Sequence, residues 1–203
     1  NGIFVDGVSK LDAQKGIELT INGLGTNNQA GNDNQAWRNG LRVETQGKVD
    51  LGTVVASIIT INSNLDDSYA NGVYCNGTGA SEGYETSIKG GDLTININKD
   101  NADQQMDYAA GITLYNGSKM EMTGALNIHA EATEGVDGIR TQDFYEYGDC
   151  VNSLQAKTLN IYGKATDGSA SGLYLMSNKS AVTVSDSTKI EILGEYNAYG
   201  INI

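Results

Sequence analysis

Apolar residues in this chain fall into short alternating runs that return in the same order from one end to the other. An aliphatic–polar–aliphatic triplet occurs at Leu19-Thr20-Ile21, Ile59-Thr60-Ile61, Leu93-Thr94-Ile95, Leu126-Asn127-Ile128, Leu159-Asn160-Ile161 and Ile190-Glu191-Ile192. Successive copies are 31 to 40 residues apart. Between them, a glycine followed by an aliphatic residue opens a second strand at Gly2-Ile3, Gly40-Leu41, Gly72-Val73, Gly111-Ile112, Gly138-Ile139, Gly172-Leu173 and Gly200-Ile201. A third run precedes most triplets: Val49-Asp50-Leu51, Met120-Glu121-Met122 and Val182-Thr183-Val184, with shorter versions at Ile88 and Leu154.

Alternation with period two sends the apolar members to one side and the polar members to the other. A single three-strand cassette cannot bury its apolar side alone. Stacked cassettes can, because each strand pairs with its equivalent in the next winding. The pattern therefore predicts an all-β, right-handed parallel β-helix of three strands per coil and about six coils, forming one domain over residues 1–203. Aligning the triplets predicts one inward ladder of Leu19, Ile59, Leu93, Leu126, Leu159 and Ile190, with Ile21, Ile61, Ile95, Ile128, Ile161 and Ile192 beside it. No long segment carries helical apolar spacing, and glycine recurs too often for helices. A β-sandwich also uses short strands, but it does not require the same cassette repeatedly in the same order.

Composition narrows the function. The chain has 203 residues, 13 Lys and Arg against 25 Asp and Glu, and a net charge of −12. The cations do not cluster, so the sequence predicts neither nucleic-acid binding nor membrane contact by this segment. No apolar run approaches the ~18 residues of a membrane span, and residues 1–20 do not read as an export signal. Both ends read as strands of a longer repeat array.

The cassettes "AAGITLYNGSKMEMTGALNIHAEAT" and "ASGLYLMSNKSAVTVSDSTKIEILGEYNAYGINI" resemble the passenger domains of bacterial autotransporters, the type V secretion family, over essentially the whole chain. The resemblance is specific for fold and weak for activity. It implies a secreted, outer-membrane-anchored adhesin or self-associating surface protein, with an export signal before this segment and a β-barrel after it. The expected partners are host or bacterial surface proteins or glycans, or further copies of the chain.

In a solenoid the strands are structural and loops carry contacts. The segment 23–39 holds Trp37, the only tryptophan, beside Arg38; it can anchor a ligand or cover the side of a coil. Residues 76–86 and 141–152 leave from one corner on either side of the tight turn Tyr115-Asn116-Gly117, about 10 Å apart. Cys75 opens the first loop and Cys150 closes the second, so a Cys75–Cys150 disulfide is expected across the short coil, with two unpaired thiols as the alternative. The stretch around Phe144, Tyr145 and Tyr147 is a candidate contact tip. Acidic residues gather before the glycine-led strands: Asp66 and Asp67, Asp103 and Asp107, Glu131 and Glu134, then Asp137, Asp167 and Glu195. Stacked, they form either a stripe for cations or cationic partners, or a solvated face that discourages edge association.

Candidate chemistry is sparse. His129 is the only histidine and sits in the outward register of its strand. No nucleophile elbow, phosphate loop, dinucleotide fingerprint or zinc spacing occurs, and no cofactor or metal is expected. The β-helix fold hosts polysaccharide lyases and glycoside hydrolases, which is the enzymatic alternative. Asp66-Asp67 matches half of the glycosidase pattern, but no Gly-His-Gly follows. The expected activity is binding without catalysis.

Overall fold

The computed structural model describes residues 1–23, 36–63, 68–77, 85–99, 106–143, 151–176 and 179–203. These form a parallel β-helix, and none of the described residues is helical. In chain order the strands are β1 (Ile3–Val5), β2 (Lys10–Asp12), β3 (Glu18–Gly23), β4 (Ala36–Glu44), β5 (Lys48–Asp50), β6 (Ser57–Ser63), β7 (Ser68–Asn76), β8 (Thr86–Gly90) and β9 (Leu93–Ile97). There follow β10 (Tyr108–Tyr115), β11 (Ser118–Met122), β12 (Ala125–Ala132), β13 (Gly135–Gln142), β14 (Asn152–Ala165), β15 (Ser169–Leu175), β16 (Ser180–Gly194) and β17 (Asn197–Asn202).

Every pairing is parallel and joins a strand to its equivalent one winding away. The first face is the seven-stranded sheet β1-β4-β7-β10-β13-β15-β17. Its centre is the glycine-led column, in which Ile3, Leu41, Val73, Ile112, Ile139, Leu173 and Ile201 are in register. The second face carries Leu11, Val49, Ile88, Met120, Leu154 and Val182 in register, as the three-strand cassette predicts. The third face is built from β3, β6, β9 and β12. The long strands β14 and β16 run through both the second and third faces and join them into one ten-stranded sheet. Their shared register shifts between Ala156 and Thr158, where the strands turn the corner.

The third face corrects the predicted ladder at two steps. Ile59 lies opposite Ile95, and Leu93 lies opposite Ser57. Ile190 likewise lies opposite Ile161, and Leu159 opposite Thr188. The true inward row is Leu19, Ile59, Ile95, Ile128, Ile161 and Ile190. Both slips are of two residues, so every apolar side chain still points inward, and period-two patterning is blind to them.

What distinguishes the registers is the fit across the interior. A Cβ on Gly40, Gly72, Gly111, Gly138 or Gly172 would lie 2.2–2.5 Å from the Cγ2 methyl of Ile59, Ile95, Ile128, Ile161 or Ile190, respectively. At Gly2 the neighbour is Leu19 Cδ2, at 2.6 Å. Each glycine makes room for the one aliphatic residue of its own winding that reaches across to the first face. Buried Val, Ile, Leu and Met fill the rest of the interior.

Corners are satisfied by small polar groups. Thr86 Oγ1 accepts from the Gln46 N–H at 2.9 Å, and Ser118 Oγ donates to the Tyr115 carbonyl at 2.6 Å. Asn116 and Gly117 both take positive φ, 53° and 82°, to make the tight turn.

Candidate ligand-binding faces

Outward positions on parallel strands stack as surely as inward ones, so the solenoid carries polar ladders on its outside. On the first face one row reads Phe4, Arg42, Tyr74, Thr113, Arg140, Tyr174 and Asn202. Arg42 lies between the rings of Phe4 and Tyr74, 5.2 and 5.4 Å from their centroids, and Nη2 reaches Glu44 at 2.9 Å. Arg140 sits over Tyr108 and Tyr174 at 5.9 and 5.6 Å. Such contacts stabilise by about 0.5–2 kcal/mol each, depending on desolvation. An adjacent amide ladder runs from Asn71 to Asn39 to Asn1, with bonds of 2.8 and 3.0 Å.

Asp137 belongs to this face and not to a solvated corner. It is 5% exposed, accepts a hydrogen bond from the Tyr108 hydroxyl, and lies 3.7 Å from Arg140 Nη1. Burial raises its pKa above 3.8, opposed by the Tyr108 hydrogen bond and the Arg140 charge. A carboxyl whose folded pKa lies above its unfolded value stabilises the fold most below the unfolded pKa. That contribution is lost as pH rises through the folded pKa. The stability of the native protein relative to Asp137→Asn is therefore expected to decline as pH rises upward from the ordinary aspartate range. Urea unfolding midpoints of both proteins across that range would reveal it, and a difference that grew with pH would contradict it.

The other acidic candidates separate. Asp107 and Glu134 do stack in adjacent windings: the Asp107 carbonyl accepts the Glu134 and Gly135 N–H groups at 2.9 and 2.8 Å. Glu131 instead lies on the third face, bonded to His129 at 2.7 Å. Among the described residues no group of His, Cys, Asp and Glu is placed to hold a metal ion. Arg38 is half-buried in β4, and burial lowers its pKa. Trp37 takes its place in β4 opposite Tyr69. Its side chain, together with Asp66, Asp67, Asp103, Phe144, Tyr145, Tyr147 and Cys150, lies outside the described residues.

The two loop segments do leave from one corner, since Asn76 and Gln142 both pair with Tyr115. The expected Cys75–Cys150 bond rests on Cys150, which lies outside the described residues. Cys75 is a free thiol, fully buried and in register with Val43 and Leu114. Alternation turns its side chain into the core, away from the loop that it precedes. Burial pushes the thiol up to about 12, and thiolate is the reactive form. Alkylation of the native protein at pH 8 is expected to leave Cys75 unmodified, with full labelling after denaturation without reductant. A disulfide-linked Cys75 peptide in mass spectrometry would refute this.

The third face holds a recess that sequence reasoning missed. Two outward rows flank it: Thr94, Asn127, Asn160 and Lys189 on one side, and Asn96, His129, Tyr162 and Glu191 on the other. The backbone of Ile95, Ile128 and Ile161 passes between them, and Lys99 adds to the lining of a shallow groove of about 200 Å³. His129 stacks on Tyr162 with centroids 4.5 Å apart and 29° between planes. Asn160 Nδ2 donates to Asn127 Oδ1 at 2.9 Å. Lys189 and Glu191 approach to 3.7 Å. Tyr162 has a raised pKa, by burial first and then by Glu131 and Glu191, so its hydroxyl keeps its proton at neutral pH. The signal lay in the recurring "LNI" at 126–128 and 159–161, each followed by a ring, at His129 and Tyr162.

No family model matches this chain, nor does any curated protein or solved structure.

Proposed function

We propose that this chain is a binding segment of a secreted bacterial surface protein, an adhesin of the autotransporter-passenger kind, which attaches through the outer faces of its β-helix without catalysis. The observation that carries the reading is the contrast between interior and exterior. The described interior is filled by aliphatic ladders. The exterior presents ring, guanidinium and carboxamide groups in rows, which suit adaptable recognition. Carboxylates near the groove are engaged by neighbours, Glu131 by His129 and Glu191 by Lys189, which disfavours a free acid–base pair of the kind glycoside hydrolysis needs.

The test is attachment by the isolated chain. Beads coated with it are expected to bind epithelial cells or bacteria, or to clump, while beads coated with heat-denatured chain do not. Inert beads would leave only a structural stalk and end the proposal. Shortened products released from host or plant polysaccharides would replace it with the enzymatic alternative.

A further inference from the structure

Resting on that reading, we infer that the groove on the third face binds a linear, uncharged oligosaccharide laid along the solenoid axis, one sugar ring per winding. The first argument is spacing. The groove walls advance by one strand at a time, roughly 4.8 Å, which is close to the length of one pyranose unit in an extended chain. Asn127 and Asn160 repeat at that step on one wall, and His129 and Tyr162 repeat at the same step on the other. A repeating ligand can meet repeating partners in the same way at each step.

The second argument is chemistry. Each carboxamide offers both a donor and an acceptor, which suits hydroxyl and acetamido groups. The Asn127–Asn160 bond occupies one donor and one acceptor, leaving the Asn127 amide N–H groups and the Asn160 carbonyl oxygen for a ligand. The stacked His129 and Tyr162 rings give the opposite wall an apolar flank with a polar tip, a combination suited to sugar C–H and O–H groups.

The third argument is charge. Lys99, Lys189 and Glu191 all line the groove, with Lys189 3.7 Å from Glu191, and Glu131 is bonded to His129 beside it. This local balance sits on a chain of net charge −12. A polyanion would be repelled by the whole molecule, and a polycation would meet the groove lysines. A neutral chain avoids both costs. The strands β9, β12, β14 and β16 that line the groove set its length at about four sugar units, one for each strand.

The test is calorimetric titration of the intact chain with β-linked glucose and N-acetylglucosamine oligomers of two to six units. Affinity is expected to rise with length to about four units and then level off. The paired substitution Asn127→Ala with Asn160→Ala is expected to weaken binding at least tenfold. Lys119→Ala on the second face should leave binding unchanged, and melting curves would confirm that both variants are folded. Tyr162→Ala offers a second route to the same loss. Unchanged affinity in folded Asn127→Ala/Asn160→Ala would place the sugar elsewhere and overturn the inference. No heat with any oligomer, while coated beads still attach to cells, would overturn the glycan but spare the adhesive reading. Product analysis after titration separates the remaining case: shortened oligomers would keep the site and overturn attachment without catalysis.

Discussion

Gly72→Val is expected to destabilise the protein by about 3 kcal/mol, at the upper end of what overpacking a core costs. The new Cβ would stand 2.2 Å from Ile95 Cγ2 and 2.7 Å from the Gly111 carbonyl oxygen. The second contact matters more. A side chain can change rotamer, but the Gly111 carbonyl belongs to a strand pinned on both sides by parallel partners. Gly72→Ala makes the same contacts with less bulk and should cost about 1–3 kcal/mol. The last strand contains its own control. A Cβ on Gly200 meets nothing within 4 Å, so Gly200→Ala should lie within about 0.5 kcal/mol of the native protein. Chemical denaturation of the three variants measures all of this. Equal stabilities at positions 72 and 200 would show that glycine is not required by the interior.

Ile95→Ala is expected to cost about 2–5 kcal/mol. Ile95 is fully buried, its neighbours in the row are Ile59 and Ile128, and its γ2 methyl occupies the space opposite Gly72. Removing it opens a cavity that a rigid parallel sheet cannot close by collapse. The same truncation at Leu19, at the half-exposed end of the row, should cost less. Because Gly72 and Ile95 share one space, Gly72→Ala and Ile95→Ala should not be additive. The double variant is expected to be more stable than the sum of the two by about 0.5–3 kcal/mol. Strict additivity would mean that the two positions do not touch.

These predictions depend on a pairing that the pattern of residues only partly reveals. The glycine-led column was legible because glycine followed by an aliphatic residue is a sharp marker, and all seven copies align as written. The third face was legible as a strand but not in register. Leu93 and Leu159 begin triplets as Leu126 does, yet their neighbours on one side slip by two residues. The candidate site divided in the same way. Asn127 and Asn160 repeat openly in sequence. The stacking of His129 on Tyr162 follows only once the two strands are known to be adjacent.

The amino-acid order by itself determined that the chain winds, which side chains face inward, and where each winding begins, because period-two alternation and recurrent glycine are local properties of strands. The tertiary structure alone decided which residue stands beside which on the third face. It also brought Asp137 beneath Tyr108, and it lined up two separate walls into one groove. Those outcomes depend on the width of the interior, which sets how far an isoleucine must reach to meet a glycine across it. Width is a property of the stacked coils together and belongs to no single strand.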